Sequence, residues 1–494
     1  MELFCLYSRF HTDITGKNQL KKNKNDQRGQ DMKITRLLCA GFVCAALLPV
    51  CGCIHSETPV AISKSTYSTI QESEQQMLSP ELKFLTLEIA QDIALQNNPS
   101  FRTKYFAIVA ARAQYYAAYT YYLPTVSLKY NLGQVTSKNL SSGSSRTSTT
   151  TSTPSLNLNL TVFDSFVREM NILGAKHNWK QTEEAELDAR RQLVRDVAFA
   201  YNNVLLAQAQ IRISQANMKF QRELLKETEL KFAVGASPLS DVLNFKTKYN
   251  SAESDLYNAQ YSYVVAKYSL AALMGLTEGD IPSNVRFSDM PSADGEMLAD
   301  INTYLDTALA NRPDLKAYRE QYEAAKYGYY SSIAAFGPTL SFNMKLDYTD
   351  TYNRNHRSNN STRSDSEAFD YGLSVNWDIF SGGRTYLGMR VAEANMVATE
   401  FAVAAAWINV IQEVRSAYDN YITGLKQVKL NQKNVEIVRK MRDLVNEEYK
   451  AGSAGITRLN EAQFDLVNAE TALANAVINM HNAKAQLKAA TDAN

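Results

Sequence analysis

The amino-acid sequence predicts an α+β membrane protein in which long α-helices continue into a transmembrane β-barrel, with four strands from each chain. Three observations lead to this fold class. Two segments predict very long helices, four segments predict strands with one apolar face, and the whole pattern occurs twice. The chain has 494 residues and a formal net charge of +1, and this balance gives no indication of a nucleic-acid partner.

Two segments are too long to be helices of a compact domain. Residues 165–234 contain no proline, are rich in strong helix formers, and place apolar residues at intervals of three and four positions. A helix of that length extends for about 100 Å. Charges at its middle, including Arg190 and Arg195, argue against a membrane span. Residues 384–449 predict a second such helix, so the two should pack with further helices as in a coiled coil.

The sequence contains a duplication. Three landmarks recur at an offset of 214 to 217 positions, and they are Pro99 with Pro313, Pro124 with Pro338, and Gly235 with Gly452. A steady offset over three landmarks indicates two copies of one unit. We predict a first repeat at residues 85–275, a linker at 276–300 and a second repeat at 301–490. Each repeat contains a helix, a strand pair, a long helix and a further helix.

Each long helix should turn back at a common tip. Gly235 and Gly452 directly follow the two long helices, and glycine in this position supplies the left-handed conformation that ends a helix. The shorter helices that follow begin at Pro238 and Ile456. The two repeats together therefore predict the wall of a tube that continues the wall of a barrel.

Four runs of the sequence alternate between apolar and polar residues, namely 127–132, 156–162, 340–348 and 371–379. About 9–11 residues cross a bilayer as a tilted strand, and apolar-outward, polar-inward alternation is typical of membrane barrels. One run alone would also fit a half-buried sheet of a soluble protein, but four runs favour the barrel. Polar loops are expected at residues 137–153 and 349–367.

Four strands predict an oligomer. The smallest membrane barrels have about eight strands, and an open sheet edge in lipid costs several kcal/mol for each unpaired backbone group. Several chains must therefore pool their strands. Three chains would give twelve strands, and two or four chains remain alternatives.

The N-terminal residues 1–53 read as an extension followed by a secretory signal. Translation begins at Met32 or at Met1, a charged stretch precedes an apolar run at residues 37–50, and the run is too short for a transmembrane helix. The sequence Val50-Cys51-Gly52-Cys53 resembles a bacterial lipobox, which implies that Cys53 is lipidated, with palmitate as an expected chain. An ordinary cleaved signal is the alternative. Residues 54–84 are polar and predict a tether.

No enzyme is predicted. All five cysteines lie at or before Cys53, the five histidines are scattered, and the sequence has no glycine-rich phosphate loop and no nucleophile elbow. We therefore expect no disulfide, no metal site, no cofactor and no catalytic residues. A second hypothesis of a different class is a structural coiled-coil periplasmic lipoprotein with no channel, against which the four alternating strands argue.

The order of these features resembles the TolC-type outer-membrane efflux proteins, in particular the outer-membrane factor lipoproteins. The resemblance rests on the turn at residues 234–243, its counterpart at 449–462 and the strand-to-helix junction at 379–384, and it covers nearly all of residues 85–490. It implies a homotrimer with a twelve-stranded barrel in the outer membrane and a twelve-helix periplasmic tunnel. Such a channel passively conducts substrates in a tripartite efflux or type I secretion system. The implied partners are a periplasmic adaptor (membrane fusion) protein, an inner-membrane transporter and outer-membrane lipid.

The resemblance also implies a gate at the tip of the tunnel. Asp241 and Tyr449 match the positions of one polar latch, and Glu461 matches one position of an acidic ring. Arg458 stands where a second acid is expected, and Ala454 where a latch arginine is often found. Three Arg458 and three Glu461 could alternate in sign around the tip and pair. Alternatively the two are a solvated pair on one helix, worth only tenths of a kcal/mol.

Overall fold

The computed structural model describes residues 83–139, 145–292, 294, 298–356 and 358–491. These residues belong to a compact unit that spans Ser73–Asn494. The predicted signal with Cys53 and nearly all of the predicted tether lie outside the described residues.

Eight α-helices make up most of the described chain. They are α1 (Leu87–Asn97), α2 (Pro99–Tyr119), α3 (Val167–Ala233), α4 (Leu239–Leu273), α5 (Ile301–Asn311), α6 (Pro313–Ala334), α7 (Arg384–Lys450) and α8 (Ile456–Thr491). The two long helices α3 and α7 each have 67 residues, which confirms their predicted length. α7 contains an 18-residue stretch that is apolar enough to cross a membrane by length and composition alone.

The described strands form two sheets. β1 (Phe84–Leu85) pairs in parallel with β4 (Arg286–Phe287), so the end of the predicted tether and part of the predicted linker join the packed structure. The four other strands form an antiparallel sheet in the order β2-β3-β5-β6, and they are β2 (Thr125–Asn139), β3 (Ser145–Phe163), β5 (Thr339–Asn355) and β6 (Asn360–Asn376).

The strands of this sheet are longer than the sequence predicts. They contain 15, 19, 17 and 17 residues. The prediction of polar loops at 137–153 and 349–367 was therefore wrong, because most residues of these two segments belong to the strands. These segments are rich in threonine, which is favourable in strands. Antiparallel pairing continues to the ends of both hairpins, as far as Asn139↔Ser145 of β2 and β3 and Asn355↔Asn360 of β5 and β6. Pairing satisfies their backbone groups, and polar composition alone therefore did not indicate loops.

The helices and strands lie side by side in the same order. On the sheet side, contacts run from α2 to α3, then to α6 and then to α7, which matches the strand order. On the tip side, α4 contacts α3, α3 contacts α8, and α8 contacts α7. The described chain is thus a wall with two open edges, and β2 and β6 are the outermost strands.

Apolar clusters lie at the middle of each long helix. Val197 and Val204 of α3 pack with α1, α4, β1 and β4. Val410 and Val414 of α7 pack with α5 and the end of α8. These clusters hold the helix breaks of the two repeats against the long helices.

Each helix break is fixed by the residue that precedes proline. Asn98 accepts a hydrogen bond from the Phe101 N–H at 3.0 Å and donates to the Leu273 carbonyl at 2.8 Å. Arg312 occupies the equivalent place and donates to the Ala490 carbonyl at 3.3 Å. Since Leu273 and Ala490 lie at the ends of α4 and α8, each break is tied to the end of the shorter helix from the tip.

The second break contains a buried ion pair that the first does not. Arg312 is 2% exposed, and its guanidinium binds Asp314 and the Glu413 carboxylate, the latter at 2.7 Å. Burial raises the pKa of Asp314, but the hydrogen bond and the charge of Arg312 outweigh it and hold that pKa below its ordinary value. The guanidinium therefore joins α6, α7 and α8 at one point.

Both long helices begin after two consecutive residues in the left-handed conformation. The φ angles are 58° at Ser165 and 72° at Phe166, and 65° at Gly382 and 84° at Gly383. Only glycine adopts this conformation without steric cost. The Ser165 hydroxyl donates to the Pro338 carbonyl at 2.8 Å, which ties the junction before α3 to the start of β5.

Candidate functional site

The two tip turns have the same backbone geometry. The Gly235 N–H donates to the Phe232 carbonyl at 2.9 Å, and the next N–H reaches back to Lys231. The Gly452 N–H donates to the Tyr449 carbonyl at 3.0 Å, and the next N–H reaches back to the residue before Tyr449. Both are Schellman motifs, in which a left-handed glycine satisfies the last carbonyls of a helix. The φ angles of 73° and 78° require glycine at both positions.

An apolar cluster joins the two halves of the chain just behind these turns. It draws on α3, α4, α7 and α8, and its buried members are Leu224, Phe245, Val445, Leu459 and Ala462. Phe245 and Leu459 have no exposed surface. The α3–α4 pair and the α7–α8 pair are therefore packed together in the described chain.

Tyr449 lies at the outer side of this cluster. Its ring meets Phe245 edge to face with centroids 6.1 Å apart, and the Lys231 ammonium lies 5.3 Å from its centroid. Lys231 also binds Glu227 at 2.8 Å. The hydrogen bond to Glu227 raises the pKa of Lys231 against the smaller opposing effect of burial. Such a contact of a cation with a ring contributes about 0.5–1 kcal/mol where it is exposed.

Asp241 has other partners within its own chain. Its carboxylate accepts from the Ser237 hydroxyl at 3.3 Å and from the Ser240 hydroxyl at 3.5 Å. An acid in the first turn of a helix is favoured by the helix dipole, which accounts for its place at the start of α4. The structure brings Tyr449 onto Phe245, one turn further along α4, and the latch between Asp241 and Tyr449 stays a prediction.

Arg458 and Glu461 are not joined in the described chain. Arg458 binds the Glu448 carboxylate at 3.1 Å, across the turn from α7 to α8, and its side chain is 62% exposed. An exposed pair of this kind contributes little to stability. Glu461 is exposed, and the proposed ring of both residues stays a prediction.

The side chains that contact Tyr449 were not among the predicted site residues. Phe245 lies four residues after Asp241, on the same helix face, and that spacing was a usable signal. Lys231 lies on the other long helix, α3, more than 200 positions before Tyr449, and no local pattern indicates their contact.

The four-stranded sheet has one apolar face. Side chains of like character face each other in four successive rows, and these are Leu128–Leu156–Leu346–Phe369, Val126–Leu158–Met344–Tyr371, Leu160–Phe342–Leu373 and Leu340–Val375. The opposite face carries polar residues, as in the row Ser127–Asn157–Lys345–Asp370. The apolar alternation on β5 extends from Leu340 to Tyr348, or about 26 Å along the strand. Membrane barrels have an apolar band about 25 Å tall.

A wall of long helices that continues into a sheet with one apolar face is the architecture of outer-membrane channel proteins. The family model "Outer membrane efflux protein" matches residues 91–276 and 304–493. The chain therefore belongs to the outer membrane efflux protein family, and it is an efflux or secretion channel protein of the outer membrane.

Individual relatives agree with this family. The alkaline protease secretion protein AprF of Pseudomonas aeruginosa is 27% identical over 407 residues, which cover 79% of this chain and 80% of AprF. The outer membrane protein TolC of Escherichia coli is 24% identical over 345 residues, which cover 67% of this chain and 68% of TolC.

Solved structures share the fold. The outer-membrane channel OprN superimposes with a TM-score of 0.69 at 18% identity, over 83% of this chain and 90% of OprN. CusC superimposes with a TM-score of 0.68 at 18% identity, over 85% of this chain and 95% of CusC. The predicted resemblance to TolC-type proteins is confirmed.

Proposed function

We propose that three copies of this chain form a channel with a twelve-stranded transmembrane barrel and a helical periplasmic tunnel. The channel passively conducts substrates to the outside in a tripartite efflux or type I secretion system. The observation that carries this proposal is the sheet with one apolar face and two open edges, β2 and β6. An open edge in lipid leaves backbone groups unpaired at several kcal/mol each, so strands of neighbouring chains must complete the sheet.

The edge elements support association through both sides of the wall. α7, which follows β6, exposes large apolar side chains, among them Leu387, Val391 and Phe401 at 62–72%. α2, which precedes β2, exposes Tyr105 and Phe106. Apolar surface of this extent favours burial against another surface. Contact between one edge and the opposite edge of a neighbour would close a ring, and the family resemblance favours three copies over two or four.

The duplication forms part of this proposal. The same order of helix, helix, strand, strand, long helix and helix occurs twice along the chain. We propose that residues 85–275 and 301–490 are two internal repeats, so that three chains give a wall of six similar units.

The partners are proposed from the relatives. AprF is named for secretion of a protease, and BepC of Brucella suis is named for efflux. We infer that this chain works with a periplasmic adaptor protein and an inner-membrane transporter, which supplies the energy. The outer channel does not itself choose the substrate.

The tip is the proposed gate. Gly235 and Gly452 form the turns, and we propose Asp241 and Tyr449 as the residues of the polar latch between the two helix pairs. Arg458 and Glu461 are proposed to line the narrowest point. Opening would separate the two helix pairs and therefore requires Tyr449 to leave Phe245.

A lipid anchor at Cys53 completes the proposal. Acylation would fix the N-terminus of the mature chain to the outer membrane, with residues 54–84 as the tether. Cys53→Ser should abolish incorporation of labelled palmitate, whereas Cys51→Ser should not. Equal labelling of the Cys53→Ser protein would contradict the lipid anchor.

Single-channel recording in a planar bilayer tests the channel function. We expect discrete conductance steps for the wild-type protein and a larger or more frequent open state for Tyr449→Ala. Glu461→Ala should change charge selectivity, and Glu436→Ala, which removes an exposed glutamate of α7, is the matched control. A wild-type protein with no conductance would favour the structural periplasmic lipoprotein instead. Unchanged selectivity in Glu461→Ala would remove that residue from the gate.

A further inference from the structure

We propose that the outward face of the sheet, beyond its apolar band, binds phosphate groups of the phosphorylated glycolipid in the outer leaflet, lipopolysaccharide. This inference rests on the proposed function, because the barrel defines which face points outward. The residues that carry it are Lys138, Arg146 and Arg354, called here the basic patch.

The basic patch shares a face with the apolar rows. Lys138 lies directly opposite Arg146, and Arg354 lies opposite Ser148 in the next row. Successive side chains of a strand point to opposite faces, and even spacing along β2, β3 and β5 places these three on the same face as Leu128, Leu156 and Leu346. In a barrel whose apolar face contacts lipid, the basic patch therefore points outward.

The patch lies at the end of the sheet that is remote from the helices. Along β2, Lys138 lies ten residues beyond Leu128, which is five steps from one row to the next on the same face. The strands leave the helices, cross the apolar band and turn back beyond the patch, so the proposed channel places it outside the cell at the level of the outer leaflet's sugar–phosphate layer.

Charge is segregated between the two faces at this height. Beyond the row of Tyr348 and Glu367, the outward face carries every charged residue of the described strands, and these are Lys138, Arg146, Asp350, Arg354, Arg363 and Asp365. The inward face carries uncharged residues there, for example Thr149, Thr351 and Asn353. Two faces that both met only water would have no reason to differ in this way. A charged layer that touches only the outward face accounts for the difference.

On the outward face of the described strands, acidic residues lie nearer the apolar band and unpaired basic residues lie farther from it. Asp350 accepts a hydrogen bond from the Arg363 guanidinium at 2.9 Å. This pair and Asp365 lie nearer the apolar band than the basic patch does, and Glu367 lies at the edge of the band, opposite Tyr348. The three residues of the basic patch are exposed, and none pairs with a carboxylate among the described residues. Arginine and lysine groups bind phosphate through charge-assisted hydrogen bonds, and clustered basic residues at a membrane surface attract anionic headgroups. The unpaired cations thus match the anionic layer.

Lipid binding by the full-length protein in detergent tests this inference. The protein is titrated with rough lipopolysaccharide, either intact or dephosphorylated by phosphatase, and bound lipid is counted by native mass spectrometry. The wild type should bind the intact form at least about tenfold more tightly. The triple variant Lys138→Gln, Arg146→Gln, Arg354→Gln should bind the intact form roughly 10- to 100-fold more weakly than the wild type and should lose the preference.

A matched variant removes three exposed lysines of α7, namely Lys426→Gln, Lys429→Gln and Lys433→Gln. This control should keep the wild-type preference. A triple patch variant that binds like the wild type, or a wild type that does not distinguish the two lipids, would overturn the inference.

Conductance in bilayers of phosphatidylcholine alone separates this inference from the proposed function. The patch variant should still form channels there, which also shows that it is folded. If the wild-type protein forms channels but does not prefer intact over dephosphorylated lipopolysaccharide, only the proposed phosphate binding by the basic patch is contradicted. If the wild-type protein forms no channels, the proposed function itself is contradicted.

Discussion

The two halves of this chain reach the same backbone with different side chains. The break before α2 is held by the neutral amide of Asn98, and the break before α6 by the buried guanidinium of Arg312. The junction before α3 uses Ser165 and Phe166 in the left-handed conformation, where the junction before α7 uses two glycines. The same hydrogen-bond geometry and backbone shape are therefore provided in the two halves by different side chains.

The largest difference between the halves should appear at the helix breaks. Arg312→Ala leaves Asp314 and Glu413 without their cation, and loss of one partner of a buried pair costs about 3–5 kcal/mol. We expect about 3 kcal/mol, since Glu413 is 47% exposed. Asn98→Ala removes a helix cap and a bond to Leu273 and should cost about 1–2 kcal/mol. Urea unfolding followed by circular dichroism measures the free energy of unfolding of both variants. Equal losses of stability would contradict the expected difference between the two helix breaks.

The junction before α3 should be the more sensitive of the two to added volume. A Cβ at Gly337 would lie 2.1 Å from the Ser165 Oγ. Gly337→Ala should therefore destabilise the protein by about 1–3 kcal/mol. In the double variant with Ser165→Gly, part of that loss should be recovered. Gly328→Ala, where the added Cβ meets open space, is the control, and a similar loss there would refute the steric explanation.

The junction before α7 depends on glycine for its backbone conformation. Gly383 has open space around it but a φ of 84°, so Gly383→Ala should cost about 1–2 kcal/mol. Gly388 lies within α7, also in open space, and Gly388→Ala should instead stabilise the helix by about 0.5–1 kcal/mol. The two substitutions should change the free energy of unfolding in opposite directions relative to the wild type. Changes in the same direction would show that φ is not the deciding factor.

The smallest effect is a difference in pH dependence between the two breaks. The folded-state pKa of Asp314 is lowered, so its contribution is complete above the ordinary aspartate pKa of about 3.9 and is lost as pH falls through the lower folded value. Asp314→Asn should be less stable than the wild type at neutral pH, and this difference in the free energy of unfolding should disappear as the pH falls below about 4. Asn98 does not titrate, so Asn98→Ala should show a constant gap. A pH-independent gap for Asp314→Asn would exclude this linkage.

The sequence predicted the elements that local signals mark. Helical periodicity, Pro99 and Pro313, and the glycines of the tip placed the helix ends within a few residues of their observed positions. The outer halves of the strands escaped prediction, because a threonine-rich segment such as 145–153 is polar like a loop and favours strands only once it has a pairing partner.

Contacts between distant parts of the chain left no local signal. Arg312 and Ala490 are 178 positions apart, and Tyr449 meets Phe245 and Lys231 from the other half of the chain. The gate residues were identified by resemblance, and the observed neighbours of Asp241 and Arg458 within one chain are residues that resemblance did not indicate. The gate roles proposed for Asp241 and Arg458 involve neighbouring copies of the chain, which a single sequence does not describe.

The central claim is that chains pool their strands to complete one barrel, and the native mass of the protein extracted from outer membranes in mild detergent tests it most directly. A mass of three chains is the predicted result. A monomer that keeps its β-sheet content would contradict the pooled barrel and the tunnel that depends on it.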